Sequence, residues 1–149
     1  MRFSVIGSFE AALLQEDAAA IAQCEDGSRW TLVLPGSLEV WVTLRPGCAP
    51  AESFQARMLW NKYPDEPPSR LFRDPETGRL DFPRAWPVAG PVRPMTGLCV
   101  SYTKEGFALH PEWVSDPSCR WAPFGNVLLK VIRSLQDDLD TSYTGRFQG

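Results

Sequence analysis

Hydrophobic positions along this chain follow two periods, with a stretch between them that follows neither. Over residues 38–45, Leu38, Val40, Val42 and Leu44 alternate with Glu39, Trp41 and Thr43, the period-two pattern of a half-buried strand. Phe54, Ala56, Met58 and Trp60 repeat it. Residues 30–34 are rich in β-branched and aromatic side chains, and Pro35-Gly36 predicts a hairpin into the next strand. A fourth, shorter strand is predicted near 69–72. Helical spacing appears twice. Residues 8–23 predict a helix, with Ser8 as N-cap and Phe9, Leu13 and Ile21 on one face. After Trp121-Ala122-Pro123, the residues Val127, Leu128, Val131, Ile132, Leu135 and Leu139 trace the face of a second helix of about 14 residues. Between Arg73 and Leu98 the pattern disappears, and Pro83, Pro87, Pro91 and Pro94 argue against a regular element. The expected fold is therefore α+β: an N-terminal helix, a four-stranded antiparallel meander, a long functional loop and a C-terminal helix, in one domain over 1–149.

Composition narrows the function classes. With 149 residues, 44% hydrophobic and 22% charged, the chain is long enough for a sizeable core. A net charge of −3 gives no electrostatic reason to expect nucleic acid or an anionic membrane as partner. The N-terminus reaches Glu10 before an apolar leader develops, and no apolar run is long enough to span a bilayer, so a cytoplasmic location is expected. The four cysteines, Cys24, Cys48, Cys99 and Cys119, are irregularly spaced, and His110 is the single histidine. No Cys-x-x-Cys pair exists and there is a single histidine, so a structural zinc site is not expected. In a reducing compartment these are free thiols, and the question is which of them reacts. From its neighbours alone, Leu98 and Val100, Cys99 reads as a buried core thiol. Cys24 and Cys48 read as incidental, and Cys119 lies in a polar loop.

Longer patterns change that reading. Tyr63-Pro64-Asp65-Glu66-Pro67-Pro68-Ser69-Arg70-Leu71-Phe72 is similar to the Tyr-Pro-x-x-Pro-Pro-x-x-x-Phe signature of the ubiquitin-conjugating enzymes, where it links the third strand to the fourth. Gly97-Leu98-Cys99-Val100 resembles the segment around that family's active cysteine, and Trp121-Ala122-Pro123 its Trp-x-Pro before the next helix. The resemblance runs in order along nearly the whole chain. Departures accompany it. The spacings from Phe72 to Cys99 and from Cys99 to Trp121 are longer than in minimal members. The family's His-Pro-Asn is missing, with Ala89-Gly90-Pro91-Val92 in its region. The chain as given ends before the family's last two helices. Compact members with these traits resemble the bacterial conjugating enzymes of ubiquitin-like or antiviral-defence operons.

The resemblance implies acyl transfer through a thioester on Cys99, with an activating (adenylating) enzyme as donor. The cargo is a ubiquitin-like modifier protein, or the C-terminus of a defence nucleotidyltransferase, and the acceptor is an amine of a protein target. Such chemistry needs a thiolate for loading, then oxyanion stabilisation and proton removal for aminolysis. With the family's asparagine absent, His110, eleven residues after Cys99, is the candidate for the second step, and Asp116 is the candidate to orient the amine. The plainer reading of His110 is that it satisfies a turn before Pro111; Asp137 and Asp138, the other acids weighed for the amine, read as a solvated pair on a helix end and are left out of the site. Trp86, Phe107, Trp113 and Trp121 are expected either to complete the core or to form a docking surface. Two other functions stay open: an inactive binding module of the same fold, and a thiol hydrolase using Cys99 and His110.

Overall fold

The computed structural model describes residues 5–98 and 102–149, with side chains for 9–97 and 102–149. Helix α1 (Val5–Ile21) leads into four strands, β1 (Thr31–Gly36), β2 (Glu39–Leu44), β3 (Phe54–Leu59) and β4 (Ser69–Arg73). They form an antiparallel sheet in the order β1-β2-β3-β4. The proline-rich stretch then contributes three two-residue strands, β5 (Pro87–Val88), β6 (Val92–Arg93) and β7 (Gly97–Leu98). Helices α2 (Lys104–Leu109) and α3 (Val127–Ser142) follow, and β8 (Gly145–Arg146) pairs back onto β5. The layout is the expected α+β one.

Register explains which sheet face is buried. Val40, Met58 and Arg70 lie in one cross-strand row, and Val42, Ala56 and Phe72 in the next, all pointing into the core. The other face carries Trp41, Arg57 and Leu71 in a row. Helix α3 closes the core with Val127, Leu128, Val131, Ile132, Leu135 and Leu139, the face its spacing predicts. Its N-cap is Asn126, whose side chain accepts from Leu129 N at 3.0 Å and donates to Asp17 O at 2.9 Å, tying α3 to α1. The buried Gln136 receives Trp30 Nε1 at 2.9 Å and donates to Arg45 O, so its burial leaves no polar atom stranded.

Four expectations change. Helix α1 begins at Val5, so Ser8 lies inside it rather than capping it; serine is tolerated in a helix at small cost. Phe9 is 70% exposed, while Leu14 and Ile21 carry the buried face. The hairpin turns at Ser37-Leu38, not Pro35-Gly36. Pro35 falls where the β1–β2 register shifts, as suits a residue with no N–H for the ladder on an edge strand. The stretch from Arg73 to Leu98 is not without regular structure, because β5, β6 and β7 lie within it.

Candidate functional site

The expected nucleophile, Cys99, lies outside the described residues, as do Val100 and Ser101. Its immediate surroundings in sequence are well defined. On the N-terminal side, β7 pairs with β6 through Val92↔Leu98 and Arg93↔Gly97. The connecting turn places Met95 at φ 65°, and Thr96 Oγ1 closes it on Arg93 O at 2.9 Å. Gly97 has φ 132°, and a Cβ there would meet Glu105 Cγ at 2.4 Å. Only glycine satisfies both conditions, so strand β7 runs hard against α2.

On the C-terminal side, Thr103 caps α2 by accepting from Gly106 N at 3.0 Å, and Lys104 N donates to Pro68 O at 2.8 Å. Glu105 accepts from Arg70 N at 2.7 Å and from Ser69 Oγ at 2.5 Å. Arg70 is fully buried, its guanidinium carbon 4.8 Å from the centre of the Tyr102 ring. Its Nη1 donates to Val131 O at 3.0 Å, while Nε and Nη2 have no hydrogen-bond partner among the described residues. Tyr102 Oη donates to Asp138 Oδ2 on α3 at 2.8 Å. Burial lowers the Arg70 pKa, with Tyr102, Asp138 and Glu105 pulling the other way. Burial likewise lifts Asp138 above the usual carboxylate range, opposed by Tyr102 and Arg70. Tyr102 is pushed up to about 12, chiefly by burial.

The prolines of the signature segment hold these elements together. Tyr63 Oη donates to Asp17 of α1 and accepts from Leu128 N of α3 at 3.1 Å, and its ring packs edge-on against Trp60. Trp121 Nε1 donates to Pro64 O at 2.9 Å. With Pro68 O receiving Lys104 N, the segment from Tyr63 to Pro68 touches α1, α3, α2 and the loop before α3. That is the work of a brace, not of a reacting group.

His110 ends α2, with Nδ1 3.1 Å from Glu112 Oε1 and its ring stacked on Trp113 at 4.2 Å. It stays 38% exposed at the side chain, accessible to a substrate. A short 3₁₀ turn over Pro111–Val114 separates it from Asp116. Asp116 Oδ1 accepts from Ser118 N at 3.0 Å and Ser118 Oγ at 2.8 Å, and these bonds hold its carboxyl below the usual range. Asp116 therefore shapes its own loop as well as presenting a charge. Cys119 is half-buried beside Ser118, Cys48 is exposed in a turn, and Cys24 Sγ contacts Ala20 O.

Of the aromatic residues in the inserts, Trp86 is fully buried and Trp121 packs against the core. Phe107 and Trp113 instead pair edge-to-face at 6.2 Å. A groove of about 380 Å³ is lined by Pro67, Phe107, Val114, Trp121 and Pro123, together with Asp65 and Arg120. Among the described residues, no cluster of His, Cys, Asp and Glu is arranged to hold a metal ion, and no helix is long and apolar enough to cross a membrane.

The polar cluster of Arg70, Tyr102, Glu105 and Asp138 escaped the sequence reading. One signal was present. Arg70 shares strand parity with Phe72, so alternation alone puts it inside, but an arginine at such a position is ordinarily assigned to the outer face. Comparison with family models, with curated proteins and with solved structures finds no match.

Proposed function

We propose that this protein is an acyl carrier of the ubiquitin-conjugating kind, with Cys99 as its nucleophile. The observation that carries the reading is the coincidence of three sequence signals with one spatial arrangement. The Tyr63–Phe72 signature joins β3 to β4, braces Trp121, and reaches α2 just after Cys99, while Gly97-Leu98 forms the strand just before it.

In loading, the Cys99 thiolate attacks the thioester carbonyl on the activating partner. A C–S bond forms to Cys99, and the partner's cysteine leaves as thiolate. The cargo is a ubiquitin-like protein or the C-terminus of a defence nucleotidyltransferase. In transfer, a target amine attacks the Cys99 thioester, an amide C–N bond forms, and the Cys99 thiolate leaves. The amine proton must be taken up as negative charge builds on the carbonyl oxygen. His110 serves this second step, accepting the proton or donating to the oxyanion, with Asp116 orienting the amine. Neither step calls on a metal or organic cofactor.

A second reading, an inactive module of the same architecture, is favoured by the missing His-Pro-Asn. Trapping separates the two. Incubated with its cognate activating enzyme, modifier and ATP, the carrier forms an adduct that thiols reverse, and Cys99→Ala abolishes it. An adduct that survives in Cys99→Ala and vanishes in Cys119→Ala would transfer the role to the other thiol. A thiol hydrolase, by contrast, turns over small thioesters with no partner present.

A further inference from the structure

His110 is the single histidine of the chain, and its surroundings fix both its backbone and its ring plane. It ends α2, where its N donates to Gly106 O at 2.9 Å and its O accepts from Trp113 N at 3.0 Å. Pro111 brings a preset φ to the start of the 3₁₀ turn that follows. The imidazole stacks on the Trp113 indole, 4.2 Å between ring centres and 18° between planes. Phe107 of α2 in turn meets that indole edge-on at 6.2 Å. Stacking holds the ring plane but leaves open which ring nitrogen carries the proton. The contact at Nδ1 settles that, because Glu112 Oε1 stands 3.1 Å from it.

An ionised carboxylate only accepts, so this hydrogen bond requires the proton on Nδ1. A backbone hydrogen bond, and after it the bond to His110, hold the Glu112 carboxyl below its usual range, so it is ionised at neutral pH. Neutral imidazole has one N–H, and its lone pair then lies on Nε2. A histidine side chain free in water prefers the reverse. We infer that Glu112 is a positioning residue for His110: its carboxylate holds the proton on Nδ1, so that neutral His110 acts through Nε2 as the base of the transfer step and not as a neutral donor to the oxyanion. This rests on the proposed function and chooses between the two roles left to His110 there. In that step the Nε2 lone pair takes the amine proton as the amide C–N bond forms and the C–S bond breaks, with the thiolate leaving. The imidazolium so formed gains its charge beside Glu112, which stays ionised, and then returns the proton to solvent.

With one histidine in the chain, the two ring nitrogens can be read without ambiguity and without any modifier. The untagged whole protein, isotopically labelled in nitrogen, is examined by long-range proton–nitrogen correlation at a pH above the imidazole titration. The wild type is expected to carry the proton mainly on Nδ1 and Glu112→Ala mainly on Nε2. Glu112→Gln, which keeps a neutral acceptor, should fall between them. A glutamate that only braces the turn would change the melting temperature and leave the nitrogen shifts in place. A wild-type proton on Nε2, or the same nitrogen shifts in wild type and Glu112→Ala, overturns the inference. In single-turnover discharge of pre-charged protein, Glu112→Ala should be slower by about two- to fivefold, the span an exposed pair supports. It should add nothing further in a His110→Ala background. An unchanged discharge rate in Glu112→Ala also overturns the positioning role. The expected nitrogen shifts in a protein that never forms a thioester would refute the proposed function while leaving the Glu112–His110 tautomer standing.

Discussion

Two tyrosines in this molecule make nearly the same contact and sit in opposite circumstances. Tyr63 donates to Asp17 on α1, and Tyr102 donates to Asp138 on α3. Burial raises the pKa of both phenols and of both aspartates. Around Tyr63 the phenol oxygen also accepts Leu128 N, and Trp60 packs on its ring, with the buried Trp60 Nε1 unpartnered among the described residues. Tyr102, three residues from Cys99 in sequence, lies against the buried guanidinium of Arg70, whose Nε and Nη2 have no hydrogen-bond partner among the described residues. Tyr63 ties α1 to α3 from a fully buried position, whereas Tyr102 is half-buried and stands close in sequence to the proposed nucleophile. Variants in the first region should change stability, and variants in the second should change rates.

The sharpest contrast comes from truncation. Tyr63→Ala removes a fully buried ring and both of its hydrogen bonds, and should cost about 3–5 kcal/mol. The melting temperature should fall by at least about 6 °C, with loading reduced only in proportion to the unfolded fraction. Full stability with no loading would break the assignment of Tyr63 as a brace.

Removing only the hydroxyls should separate the two regions again. Tyr63→Phe leaves Leu128 N buried without a partner, a loss of about 1–3 kcal/mol by chemical denaturation. Tyr102→Phe keeps the ring over Arg70 and frees a carboxylate that water can reach, so it should cost less than about 1 kcal/mol. Equal losses would erase the comparison.

His110 extends the same test to the second chemical step. His110→Ala should leave loading near normal and slow single-turnover discharge to free lysine at least about tenfold, the lower edge of what a positioned acid–base or oxyanion group contributes. If His110 only braces its loop through Glu112 and Trp113, His110→Gln will retain most of the rate.

The smallest effect is a pH dependence. Asp138 titrates above the ordinary carboxylate value of 3.8, chiefly because its partial burial disfavours the charged form. A carboxyl raised on folding weakens the folded state while ionised, and that penalty fades as pH falls through its folded pKa. Asp138→Asn should therefore gain melting temperature relative to wild type at neutral pH, and the gain should shrink toward the acid side. A gain that grows on acidification has the wrong sign.

The sheet and α3 were legible because their side chains obey a simple period. The alternation over 38–45 and 54–60 and the α3 face from Val127 to Leu139 all match the buried positions. Helix α1 was legible as a helix but not in its face, since its alanine-rich run gives no strong stripe and Phe9 points outward. Strands β5, β6 and β7 pair over two residues each, too short to leave any periodicity among prolines. The same limit hid the polar cluster. Its four members come from β4, the chain after Cys99, α2 and α3, and only tertiary structure brings them together. Cys99 and His110 are proposed from resemblance and from elimination, routes that name residues without giving their geometry.

The most direct measurement is the mass of the protein after incubation with its activating enzyme, modifier and ATP. The account predicts a gain equal to the modifier less one water, mapped to the peptide containing Cys99 and removed by excess thiol. An activating enzyme that is itself charged, yet leaves this protein unmodified or modifies it only at another cysteine, would contradict it.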